Sequence, residues 1–226
     1  MKRKFFTFIG LFIFVLLLAA CGEKENNEVQ PEFEVPTISD EEKLDEGELV
    51  VTVNDDEVTG VTYNLVYTQL KLHAVQTGQE ISDEELKEMT IESLIDRQLL
   101  MQQAKEDGVV VTDDAATEEL DRLKGENEEG FETLLEQYQI TEKLFHQQLI
   151  FEMTMNEYLT DEIKVTVTDE EVEEAYEEAK KDNEDLPELV EIRDTLKSQL
   201  ESQRTNDELQ ERIDNLKEKS EIERHL

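Results

Sequence analysis

The chain has 226 residues with 59 Asp and Glu against 22 Lys and Arg, a formal net charge of −37 at pH 7. Such a polyanion gains nothing by displacing counterions from nucleic acid and is repelled by anionic lipid headgroups. A single cysteine excludes an intramolecular disulfide framework and a cysteine-based zinc cluster, while the absence of tryptophan and the three prolines suit a helical protein better than a sandwich of short strands.

In chain order, Lys2, Arg3 and Lys4 precede an apolar run from Phe5 to Leu18, and Leu18-Ala19-Ala20-Cys21 follows. The run is shorter than the roughly 20 residues that span a bilayer as a helix. The pattern reads as a secretory signal over residues 1–20. It resembles a bacterial lipoprotein signal, in which the lipobox cysteine carries the lipid; here that residue is Cys21. Cleavage before Cys21 removes three positive charges and leaves the mature chain more acidic still. Residues 21–48 are polar and acidic with Pro31 and Pro36. Their apolar surface is too small to offset the entropy of ordering, so the lipidated cysteine is expected to continue into a flexible tether.

Leu49-Val50-Val51-Thr52-Val53 is a β-branched run that ends at the turn signal Asn54-Asp55-Asp56. Thr59 is placed to cap a helix that runs to about Gln76 and ends at Gly78. Ser82-Asp83-Glu84-Glu85 has the form of a capping box. It opens a helix carrying Leu86, Met89, Leu94, Ile95, Leu99 and Met101 to a stop near Gly108, a residue suited to a left-handed C-cap. Thr112 starts a helix that ends near Gly125, and residues 131–138 form a short one. Thr141-Glu142 then opens a helix to about Asp161, whose apolar residues cover most of its circumference; such a helix is central or binds something. Thr168-Asp169-Glu170-Glu171 is a second capping box. Pro187 suits the first turn of the last helix, along which Leu189, Ile192, Leu196 and Leu200 recur at helical spacing before the stripe resumes at Leu209, Ile213 and Leu216. Glu221-Ile222-Glu223 is a candidate closing strand for pairing with Val50–Val53.

This order of segments resembles the SurA N-terminal domain family of SurA- and PrsA-like chaperones. The resemblance is carried by Val51-Thr52-Val53-Asn54, by Leu94-Ile95-Asp96-Arg97-Gln98-Leu99-Leu100 running on to Gly108, by Val165–Glu171 with Ala175-Tyr176, and by the tail from Val190 to Glu223. It spans residues 49–226 and implies a mainly α-helical chaperone domain, with a two-stranded pairing of residues 49–53 and 221–224. Family members also carry a parvulin-type prolyl isomerase domain, inserted after the helix that here holds Tyr176. Only Ala179 to Glu188 lies between that helix and Leu189, whereas a domain needs at least roughly 50 residues. The resemblance therefore implies the chaperone module without the enzyme: a protein that binds unfolded or secreted polypeptides at the outer face of the cell membrane, with no cofactor. An adaptor for one specific envelope partner and a degenerate isomerase are the alternatives. The leucines of the last helix suit a homodimer and an intramolecular stripe equally well.

Few residues carry chemistry. His73, His146 and His225 share no catalytic or metal spacing and read as surface or packing histidines. The acidic stretch Asn54–Gly60 lacks the alternate oxygen ligands and the glycine position of a calcium loop. The methionines are better candidates, because flexible, polarisable side chains suit promiscuous apolar surfaces. The family resemblance adds the aromatic residues of the 142–161 helix. The expected client-binding set is Met89, Met101, Phe145, Phe151 and Met155.

Overall fold

The computed structural model describes residues 38–183 and 186–226. Cys21, the signal read into residues 1–20 and the tether up to residue 37 lie outside the described residues. Among the described residues the order is β1 (Leu49–Val53), β2 (Asp56–Thr59), α1 (Gly60–Thr77), α2 (Asp83–Glu106), α3 (Asp113–Glu126), α4 (Glu128–Tyr138), α5 (Glu142–Glu162), α6 (Asp169–Asp182), α7 (Leu189–Lys219) and β3 (Ile222–Arg224). The expected mainly helical fold is observed, and so is the pairing of β1 with β3. The sheet has a third strand, β2, giving the order β2-β1-β3 with both pairings antiparallel. The sequence places the end of a turn at Asp56 and a helix cap at Thr59; the structure makes them the two ends of this strand.

The chain divides into two compact units. Within the described residues, one comprises 38–98, 111–153 and 221–226, and the other 99–110 and 154–220.

In the first unit the sheet is organised by Asn54. It adopts a left-handed φ of +55°, which asparagine tolerates better than most residues. Its backbone N–H donates to Glu221 O at 2.7 Å, and its side chain accepts from Glu221 N–H at 3.0 Å. Thr52 Oγ1 lies 2.9 Å from His225 Nε2, so His225 belongs to the closing strand pair. Arg224 pairs with Glu88 at 2.5 Å and also with Glu92, tying β3 to α2.

Residues 38–48 correct the tether expectation. Ile38 is buried. Leu44 exchanges two hydrogen bonds with the Asn64 side chain, at 3.0 and 2.9 Å, and Glu42 accepts from Tyr67 and Lys71 at 3.1 and 2.6 Å. The segment also caps α1. Thr59 stands at the N-cap without a side-chain capping bond; Gly60 N–H and Val61 N–H donate instead to the carbonyls of Glu48 and Glu46 at 2.8 and 3.2 Å. The approach is so close that a Cβ on residue 60 would lie 2.1 Å from Asp45 O, which explains the glycine. Burial tends to raise the Glu42 carboxyl, but the bonds from Lys71, Ser39 and Tyr67 outweigh it and hold the pKa at about 2.

The helix ends follow the expected chemistry. Gly78 and Gly108 adopt φ of +66° and +86° as left-handed caps. Thr112 Oγ1 accepts from Ala115 N–H at 3.2 Å, and Thr168 with Glu171 forms the complete reciprocal box. At Ser82 the hydroxyl accepts from Glu85 N–H at 3.3 Å. Pro187 differs from expectation. It precedes the Glu188 N-cap of α7, and its carbonyl accepts from Tyr176 O–H at 3.0 Å.

Between residues 111 and 153 the first unit holds a closed core of Ala116, Leu120, Leu123, Phe131, Phe145 and Leu149, flanked by Leu134, Leu135, Ile140, Ile150 and Met153. Phe131 and Phe145 meet edge to face, centroids 5.2 Å apart at 86°, the arrangement favoured by the ring quadrupoles. In the second unit Tyr158 is fully buried. Its hydroxyl accepts from Arg212 at 2.6 Å, satisfying the one polar atom that its burial removes from water.

Candidate functional site

The expected client-binding residues divide. Phe145 and Met155 are 6 % and 2 % exposed, so both are core residues and present no surface to a client. Met89, Met101 and Phe151 are half-buried. The wide apolar circumference of α5 is therefore used in packing. Phe145 and Leu149 enter the closed core of the first unit, and Met155 and Tyr158 are buried in the second.

Two of the three histidines, His146 and His225, contact neighbouring threonines. His146 Nε2 lies 3.1 Å from Thr117 Oγ1, and its Nδ1 is 3.9 Å from Asp113. Among the described residues no group of three or more His, Cys, Asp and Glu side chains is disposed to hold a metal ion. None of their helices is long and apolar enough to cross a membrane.

A partly covered apolar surface lies on the α6–α7 hairpin of the second unit. Val172 and Tyr176 of α6 are buried, while Ala175 and Ala179 are half-buried. Along α7 the buried residues are Leu209 and Ile213. Leu189, Ile192, Leu196 and Leu200, on the half that follows the hairpin turn, are half-buried, and Val190 is 85 % exposed. An apolar stripe on a helix is ordinarily buried; here two helices leave one partly open.

The rest of the hairpin is fastened by polar groups. Arg193 pairs with Glu173 at 2.9 Å and Asp169 at 3.6 Å. Arg204 pairs with Glu171 and donates to Thr166 O at 2.5 Å. Hydrogen bonds from Arg204, then from the Thr168 backbone and hydroxyl, hold the Glu171 carboxyl at a pKa of about 2. Tyr176 ties the hairpin turn through Pro187, and Lys180 Nζ reaches the Tyr176 hydroxyl at 3.4 Å. The hairpin can thus keep its shape while its apolar stripe stays partly uncovered. The 3- and 4-residue spacing of that stripe was visible in sequence. What marks it as a surface is the scarcity of packing partners, which spacing does not encode.

Comparison with known proteins agrees with this helical architecture. Residues 2–159 match the SurA-like N-terminal domain. The chain therefore belongs to the SurA-like N-terminal domain family, the chaperone-type module that the sequence resemblance implies. A foldase protein PrsA from Caldanaerobacter subterraneus subsp. tengcongensis is 26 % identical over 193 residues, covering 80 % of this chain and 53 % of its own. The chain thus spans about half the length of that curated relative. The family match ends at residue 159, before α6, α7 and β3. The link between α6 and α7 is residues 183–188 alone.

Proposed function

We propose that this protein is an extracytoplasmic chaperone, anchored through lipid on Cys21 after removal of residues 1–20. It transiently holds unfolded secreted polypeptides near the membrane surface and helps them fold without isomerase catalysis. The observation that carries this reading is the partly open apolar stripe Leu189, Ile192, Leu196 and Leu200 with exposed Val190, in a chain of the SurA-like N-terminal domain family. Membership supports the chaperone class. The similarity to a foldase supports polypeptides as the ligand class, and the short α6–α7 link supports a chaperone without an inserted catalytic domain. The net charge of −37 keeps a protein with apolar surface soluble, because copies repel one another.

The mechanism needs no covalent step. A client's apolar side chains cover the α7 stripe, and each fully buried leucine-sized side chain contributes roughly 1.5–3 kcal/mol. A few such contacts give binding that is easily reversed, as transient holding requires. Light scattering of an aggregating client, with and without the chain, tests the reading. Suppression at stoichiometric amounts with several unrelated unfolded clients is the expected result. No suppression at low or high salt sinks it, and capture of a single folded envelope protein would replace it with a dedicated adaptor.

A further inference from the structure

In a chain with 59 carboxylates, a basic side chain is normally neutralised by its neighbours. The arginines at 122, 193, 204, 212 and 224 each lie within 3.8 Å of a carboxylate oxygen. Arg97, on α2 in the first unit, is the exception among the described arginines. Its guanidinium carbon stands 3.7 Å over the centre of the Phe151 ring, and one Nη donates to Gln148 Oε1 at 2.7 Å. Gln148 is buried, and its amide nitrogen donates to Glu152 Oε1 at 2.9 Å. That second bond fixes the amide orientation, so its oxygen faces Arg97. The charge of Glu152 reaches Arg97 through space, but it makes no ion pair with it.

Arginine has five N–H donors in a rigid planar fork. Here one face of the plane is covered by Phe151 and one donor is used by Gln148, so donors remain for an outside acceptor. Burial pushes the Arg97 pKa down to about 10, which leaves the group charged at neutral pH. A guanidinium held in place, partly stripped of water and not paired to a carboxylate has the properties of a receptor for one, since charge-assisted, bidentate bonds to carboxylate are strong and directional.

We propose that Arg97, held against Phe151 and Gln148, is a binding site for a carboxylate carried by a polypeptide client. The identity of the carrier rests on the polypeptide-binding reading above; the carboxylate chemistry does not. The net charge does not forbid it, because repulsion from distant carboxylates is screened over about 8 Å at physiological salt, and burial raises the pKa of the nearby Glu152 carboxyl, which weakens its competition for Arg97. The carboxylate can be the client's C-terminus or an acidic side chain.

The experiment compares three versions of one unstructured labelled peptide binding to the full chain: free C-terminus without acidic side chains, amidated, and amidated with one Asp added. The expected result is binding about tenfold tighter for a carboxylate form than for the plain amide, a difference of about 1.4 kcal/mol. Preference for the first peptide assigns the C-terminus, and preference for the third assigns a side chain. Arg97→Gln removes the preference and leaves the affinity for the amide unchanged, while Arg97→Lys, which keeps charge without the fork, retains only part of it. Equal binding of all three peptides to the wild-type chain overturns the inference and leaves the polypeptide-binding reading standing. A preference that survives Arg97→Gln also overturns it. Should Arg97→Gln not fold, acetate decides on the wild-type chain: it must compete away the extra affinity of the carboxylate peptide and leave the amide peptide bound. Should no peptide bind, the polypeptide-binding reading fails by itself. Acetate titration followed by the Arg97 Nε resonance then decides: a saturable shift supports the carboxylate site, and none overturns it.

Discussion

The α3–α5 core and the α6–α7 hairpin are built from similar material, acidic amphipathic helices of which all but α7 begin at a threonine or asparagine cap, yet they bury it differently. In the first, α3, α4 and α5 each turn apolar residues into one shared cluster around Phe131 and Phe145. In the second, α7 has no buried residue before Leu209, and ion pairs and a capping box fasten its contact with α6. The difference lies in the number of partners. Three helices surround one another's stripes, whereas two share a single line of contact and leave part of a broad stripe outside it. A closed core contributes stability. An open stripe contributes little, and its leucines are available to something else.

The largest expected effect breaks the closed core. Phe145→Ala removes one partner of the edge-to-face pair and leaves a cavity, so stability falls by about 3–5 kcal/mol, measured by urea denaturation. Leu196→Ala on the half-buried stripe costs about 1 kcal/mol, while suppression of client aggregation drops. Similar losses of stability for the two variants would erase the distinction between the regions.

How much of this contrast could be read beforehand depends on the kind of interaction. Helix limits were legible because caps are local: Gly78, Gly108, Thr112 and Thr168 act through bonds to residues a few positions away. The pairing of β1 with β3 was legible from two apolar-patterned ends. Strand β2 was not, because Asp56-Glu57-Val58-Thr59 has strand pattern only at Val58, its one buried residue; it is a strand because Asn54 turns the chain back along β1. Residues 38–48 looked too polar to pack, yet Glu42 and Asn64 make the hydrogen bonds that hold them. The candidate site was the least legible part. Phe145 and Met155 stood out as large or flexible side chains, and such residues fill cores as readily as they line surfaces. Arg97 lies within a segment quoted for the family resemblance, but its distinction is the absence of an ion pair among the described residues, which only three-dimensional placement reveals.

The next effect sharpens the hairpin side. Thr168→Ala removes the hydroxyl's bonds in the α6 capping box, leaving the bond from the residue 168 backbone N–H to Glu171, and is expected to cost about 1 kcal/mol. Hydrogen exchange should rise in the first turn of α6 and stay unchanged in α3. Equal loosening of both would mean that the hairpin is not an independent source of local stability.

Acid provides a comparison without mutation at the start. Glu42 in the first unit and Glu171 in the hairpin both have carboxyls lowered from 4.5 to about 2. A carboxyl depressed on folding stabilises the folded state above its unfolded pKa, and that contribution is lost as pH falls through the window from about 4.5 to about 2. Stability should therefore decline across this window. Glu42→Gln should flatten the decline more than Glu171→Gln, since the exposed Arg204–Glu171 pair is better screened by solvent. A steeper loss from Glu171 would indicate that the hairpin's ion pairs matter more than their exposure suggests.

The smallest expected change in stability is the most discriminating for function. Val190 is 85 % exposed at the start of α7, so it buries almost no surface, and Val190→Gln should leave stability within about 0.5 kcal/mol. A glutamine there still suits a helix, so the hairpin keeps its shape while one apolar contact leaves the open stripe. If the stripe holds clients, the concentration of protein needed to suppress aggregation should rise with no shift in the denaturation midpoint. Unchanged suppression, combined with a normal response to Leu196→Ala, would confine the client contact to the half-buried leucines and exclude the hairpin's tip.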